Sequence, residues 1–414
     1  MKLKTKDIID KLIVLSIIIV CLSIFLPPFF KSISISLLAI AVLGAFFSKA
    51  YSLKPSVNKE SLLLIAFFFL HIIGVFYSSD KNSALFDLQI KLSLIILPLL
   101  FIFIPKQFLS KDKLWTYFLA IIIGLVLTIF YCFISGVVRS ISNSLPLVGE
   151  IIYTKLGAKF HPSYLSLFAS VGLVLTYKIP LNQFLKAPNQ AKLIKIFTIA
   201  LISFFLVMLN SRSGLLILII AYLWILIDLF FVEKKRISAL ITLFVLIVCG
   251  FFILNSNFLS MRYRNAIENI AQEKNINHES NSMSQRSFIY SNSWTLVSKN
   301  LVFGVGTGDV KSTFESLYEK ENVRFSSYLN AHNQYLQTTI ALGMVGLLVL
   351  VLVFLFPMIR MLKQKQYFLL IIFLLIGFSY LFESMLERNM GTYFFALIYV
   401  LSNSYLSTQK PKLD

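Results

Sequence analysis

The sequence predicts an all-α integral membrane protein with about twelve transmembrane helices and one large outer loop before the tenth. Three observations carry that prediction. Hydrophobic residues make up 57% of the 414 residues and charged residues only 14%, too apolar a mixture for a soluble fold. The apolar residues come in runs of roughly 17–25, the length that crosses a bilayer. The basic residues, 38 against 19 acids, punctuate those runs instead of forming one patch, which argues for topology determinants and against nucleic acid as a partner.

The runs fall near 12–30, 32–48, 61–77, 88–104, 114–138, 162–177, 193–209, 214–232, 237–255, 333–359, 367–382 and 390–406. The first follows MKLKTKDIIDK but is too long for a signal core and lacks a small-residue cleavage site, so it is expected to stay as a span. With the N-terminus inside, 22 of the 38 basic residues lie in cytoplasmic segments, and both termini are expected there. Cys21, Cys132 and Cys249 lie within apolar runs without metal-ligand spacing, so neither a disulfide nor a metal framework is expected.

Three regions result: spans one to nine over 1–256, a large loop over 257–331, and spans ten to twelve over 332–414. The loop holds eight basic residues against seven acids, so it is no electrostatic tail. Within it SQRSFIYSNSWTLVSKN, around Trp294, and FESLYEKE show helical spacing, while NINHESNSMS looks like a flexible link.

The chemistry is expected where inward-running helices begin. Their N-termini turn positive dipole ends toward the outer surface. Three such starts carry polar signatures: His161, Pro162 and Ser163 at the sixth span; Asn210, Ser211, Arg212, Ser213 and Gly214 at the eighth; His332 and Asn333 at the tenth. Backbone N–H groups beside an arginine make an anion site. Arginines near span ends also snorkel to lipid headgroups, but the serines and Gly214 around Arg212 are capping and close-approach chemistry, and its planar fork suits phosphate oxygens. A solvated surface residue is the ordinary reading of Arg286.

If the chain is helical from Asn333 onward, His332, Thr339, Gly343 and Gly346 share one face. Close helix packing accounts for the two glycines; an ionisable histidine at a membrane boundary points to function. Of Glu383, Glu387 and Arg388, in the turn before the last span, only Glu383 is considered a contributor. His71 is expected to hydrogen-bond within the bundle, His278 to lie in the flexible link, and Asp87, Lys91 and Asp228 to reach the interface. FGVGTGD at 303–309 lacks the GK[ST] ending of a phosphate loop and reads as a tight turn toward the tenth span.

His332, Asn333, nine residues, Gly343, two residues and Gly346 resemble the signature of the O-antigen ligase and O-antigen polymerase superfamily. The large loop before it, the SRSG segment, and a loop arginine ahead of a Trp and a GVGTG turn are similar to that family too, over roughly Leu201 to Ser402. The resemblance implies a GT-C-like membrane glycosyltransferase of the bacterial inner membrane with its active site facing the periplasm. It implies an undecaprenyl-diphosphate-linked glycan donor, a lipid A core or other outer-face acceptor, membrane lipids as surroundings, and inverting, metal-independent transfer without a cofactor. It carries His332 over as the catalytic or acceptor-positioning histidine, and Arg212 and Arg286 as diphosphate-binding residues, with Arg262, Arg264 and Arg324 as competitors of Arg286. His161, Ser211, Asn333 and Glu383 are possible contributors; Gly214, Gly343 and Gly346 are structural. Ligase, polymerase and protein O-oligosaccharyltransferase are not separated by these residues. A flippase or transporter is the more distant alternative, against which stand polar residues crowded at one face and no symmetric halves.

Overall fold

The computed structural model describes residues 2–48, 51, 55–157, 159–255, 282–298, 300–321, 323 and 330–409. Every regular element among them is helical, and helices occupy most of each of the twelve expected apolar runs. Eight are long and apolar enough to cross a membrane: Lys6–Phe25, Pro28–Phe47, Lys59–Tyr77, Lys81–Phe103, Lys111–Ser142, Pro188–Leu209, Arg212–Val232 and Gln334–Lys363. The other four are shorter or more polar.

We number the elements used below as α1 (Lys59–Tyr77), α2 (Lys81–Lys91), α3 (Ser93–Phe103), α4 (Pro162–Lys178), α5 (Pro188–Leu209), α6 (Arg212–Ile227), α7 (Ser282–Ser291), α8 (Ser293–Ser298), α9 (Val310–Lys320), α10 (Gln334–Lys363), α11 (Tyr367–Ser379) and α12 (Asn389–Thr408). Helices α4 and α12 are not among those eight. Both are buried along almost their whole length, and Phe168 of α4 stacks on Phe394 of α12 at 4.0 Å. Surrounded by protein, they tolerate Ser166, Ser170, Thr392, Ser402 and Asn403, which lipid contact would penalise.

Two boundaries depart from expectation. The first run does not extend to Phe30: the chain turns at Leu26 and a new helix starts at Pro28, because proline fixes φ and lacks the N–H that a first helical residue leaves unused. The fourth candidate span begins at Lys81, well before residue 88, where Asp80 caps α2 by accepting the Ser83 N–H; α3 follows after Leu92.

The larger correction concerns α10. Gly343 adopts φ 64° and ψ −162° inside it, so the helix is broken there and His332, Thr339, Gly343 and Gly346 do not form one continuous face. The FGVGTGD segment docks at that break. The Met344 N–H donates to the Leu301 carbonyl at 2.8 Å, and the Val305 and Gly306 N–H groups donate to the Ile340 and Ala341 carbonyls at 2.9 and 3.0 Å. A Cβ on Gly343 would fall against the Val302 carbonyl, and one on Gly304 against Ala341, far inside contact distance. Thr307 then donates to the His71 carbonyl of α1 at 2.8 Å, and the Asp309 carboxylate accepts the Ser79 and Asp80 N–H groups. The turn is thus a wedge between α1 and the broken α10.

The expected loop helices are present as α7, α8 and α9. Trp294 is 70% exposed, and Ile289, Leu296 and Val297 form the buried side instead. His278, Arg262, Arg264, Arg324 and most of the NINHESNSMS link lie outside the described residues.

Candidate functional site

Three of the helix starts singled out above are capped in the structure. His161, in extended geometry before Pro162, accepts the Ser163 N–H on Nδ1 at 3.4 Å. Asn210 ends α5 in the left-handed region at φ 42°, and Ser211 then caps α6 by accepting the Gly214 N–H at 3.4 Å. Asn333 caps α10 with Oδ1 accepting from Tyr335 and Leu336 at 2.9 and 3.1 Å. Each cap satisfies one or two N–H groups and leaves the end of the dipole intact.

The first two starts are adjacent. Gly214, one turn into α6, faces Ser166 of α4, and a Cβ there would collide with the serine side chain. Glycine is what lets the start of α6 approach α4 this closely.

The third start is joined to them through the segment between α11 and α12. Glu383, with a side chain 8% exposed, sits there between two groups: His332 Nδ1 lies 3.3 Å from Oε1, and Arg286 Nη2 lies 3.5 Å from Oε2. His161 lies within electrostatic reach of Glu383, Arg388, Arg286 and His332, and Glu383 within reach of His332, His161 and Arg286. Arg388 is a member that the sequence reading set aside; its place directly before α12 was the only signal for it.

Burial pushes the Glu383 carboxyl up, but the hydrogen bond with His332 and the charges of His332, His161 and Arg286 outweigh it and hold it below its ordinary range. An ionised carboxylate can only accept, so His332 Nδ1 carries the hydrogen, and in the neutral ring Nε2 is left as the acceptor. That Nε2 is sheltered from solvent and makes no hydrogen bond among the described residues. Burial holds the His161 imidazole below its usual range; Glu383 opposes this and the charges of Arg388, Arg286 and His332 add to it.

The backbone enforces the arrangement. His332 itself has φ 48°, and its N–H donates to Asn330 Oδ1 at 2.8 Å. The segment carrying Glu383 is clamped from several sides: the Gln334 N–H donates to the Tyr380 carbonyl at 2.7 Å, the Tyr290 hydroxyl to the Leu381 carbonyl at 3.1 Å, and the Tyr164 hydroxyl to the Ser384 carbonyl at 3.0 Å.

The remaining candidates resolve differently. Asp87, Lys91 and Asp228 are each ion-paired within the protein. Lys91 is 1% exposed and donates to Asp87 and, at 3.1 Å, to Glu387; Asp228 is buried under Tyr177 and Lys178. Ion pairing across the bundle makes that burial tolerable. His71 is buried 3.7 Å from Asp87 without a hydrogen bond on either ring nitrogen among the described residues. A cavity of about 480 Å³ opens at the opposite face, beside Asn58, Lys106 and Arg360, and none of the site residues lines it.

Residues 197–351 match the family model described as O-antigen ligase. The match includes Arg212, Arg286, His332, Asn333 and the Gly343 break; His161, Glu383 and Lys91 lie outside it and stand on geometry alone. No curated protein matches the chain.

Proposed function

We propose that this chain, a member of the O-antigen ligase and polymerase superfamily, is a ligase-type glycosyltransferase that moves a glycan from undecaprenyl diphosphate to a lipid A core at the periplasmic face of a bacterial inner membrane. The observation that carries the proposal is Glu383 held between His332 and Arg286, at the end of the bundle where α4, α6 and α10 begin.

In this reading an acceptor hydroxyl attacks the anomeric carbon of the donor sugar from the face opposite the diphosphate. The new glycosidic C–O bond forms as the bond to the diphosphate breaks, and the configuration inverts. His332 Nε2 takes the hydroxyl proton, with Glu383 fixing the ring so that this nitrogen is the acceptor. The leaving diphosphate carries at least two negative charges, so its departure needs cations and oriented N–H groups already in place. Arg286 and Arg212 supply the cations, and the capped starts of α4, α6 and α10 supply the field.

A polymerase or a protein O-oligosaccharyltransferase would use the same chemistry on another acceptor. Deletion of the gene followed by gel analysis of surface glycans separates them. Loss of every band above the lipid core is the result expected here. A surviving single-repeat band means polymerase, unglycosylated proteins mean the protein enzyme, and movement of lipid-linked glycan without covalent transfer means a flippase.

A further inference from the structure

The ion cluster around the buried Lys91 has no place in the reaction above. Lys91, at the end of α2, has its ammonium between Asp87 and Glu387 and is 1% exposed. Glu387 stands four residues after Glu383 on the same clamped segment, and 296 residues separate it from Lys91 in sequence. Gln334 links the two sets. Its Oε1 accepts the Leu386 N–H at 2.7 Å, its Nε2 reaches Glu387 Oε1 at 3.5 Å, and two residues before it stands His332. The Thr392 hydroxyl donates to the Ile90 carbonyl at 2.7 Å, tying the start of α12 to the end of α2.

Among these clamps Lys91 is the charged one. Burying a lysine against two partly buried carboxylates brings little net stability, because desolvation offsets the attraction. What such a cluster does supply is one geometry, since any slip of the segment would leave a charge unpaired in a medium that penalises it.

We infer that Lys91, with Asp87 and Glu387, is a positioning element that fixes the 380–388 segment and thereby presents Glu383 to His332. The inference rests on the glycosyltransferase reading for its catalytic consequence, but not for its structural one.

Three variants of the full-length protein test it: Glu387→Leu, the charge-removing pair Asp87→Leu/Lys91→Met, and Glu387→Gln, which keeps shape and an acceptor oxygen. Amide hydrogen exchange across 380–388 and transfer from undecaprenyl-diphosphate-linked glycan to lipid A core are read on the same preparations. The first two variants are expected to raise exchange at Leu386 at least tenfold and to lower kcat about 10- to 100-fold with the donor KM within twofold, as a displacement on the order of 1 Å would do. Glu387→Gln is expected to stay within about threefold of the parent, the hydrogen-bonding geometry being kept. Unchanged exchange, wild-type kcat, or a raised KM with kcat intact in the first two variants overturns the inference. Loosened exchange in variants of a parent that transfers nothing overturns the functional reading and leaves the positioning role supported.

Discussion

Glu383 is the residue on which the site turns, because among the described residues it is the one carboxylate that meets both a histidine and an arginine from separate elements. Its proton affinity is lowered in the folded protein, so the unfolded chain binds more protons between that lowered value and the ordinary one near ~4.3. Stability from this contact is therefore fully present above about pH 4.3 and is lost as pH falls through the folded value. Thermal unfolding of the wild type is expected to fall more steeply than that of Glu383→Gln on acidification below pH ~4.5; parallel slopes would show that the contact does not titrate. At neutral pH the same variant leaves the His332 tautomer unspecified and is expected to lower transfer about a hundredfold. Its donor KM is expected to change little, since the ring is not a donor-binding group. The helix starts at Arg212 and Asn333 could be read from the sequence because capping chemistry is local. The pairing of Lys91 with Glu387 could not, because nothing in either neighbourhood specifies a partner on another helix.

Among the elements, α10 departs most from its sequence pattern. Its apolar run continues without a proline or a polar break at 343, so the period of 3.6 alone gives one unbroken helix. The break arises from a tertiary partner: the 301–306 backbone supplies the hydrogen bonds that the helix gives up. Gly343→Ala forces a non-glycine residue into the left-handed region and into the Val302 carbonyl. A loss of about 2–4 kcal/mol is expected, combining backbone strain with the steric conflict. It would be read as a lower unfolding temperature, with Gly44→Ala, where a Cβ meets nothing within 4 Å, as the neutral control. Equal unfolding temperatures for the two variants would remove the wedge from the account. The FGVGTGD turn was legible as a turn; its docking inside a helix was not.

At the scale of the molecule, the bundle separates two ends. His161, Arg212 and His332 stand at helix starts, whereas Lys178, Arg360 and Lys363 stand at the far ends of α4 and α10. The eight candidate spans were legible because lipid demands length and apolarity, whereas α4 and α12 carry polar residues that burial inside the protein accommodates. In a background lacking Cys249, Trp294→Cys and Lys363→Cys are expected to react with an impermeant maleimide from opposite sides of intact cells and inverted vesicles. Labelling of both from one side would contradict the separation of the ends.

The central claim is that helix starts and cations at one end grip a lipid-borne diphosphate while His332 takes a proton. It is tested most directly by glycan transfer from undecaprenyl diphosphate to lipid A core, using purified wild-type, His332→Ala, Arg212→Ala and Arg212→Lys proteins recovered at equal levels. The wild type is expected to transfer and the three variants to lose at least about a thousandfold, the lysine failing because it lacks the planar fork. Transfer by His332→Ala or by both Arg212 variants at the wild-type rate would contradict it.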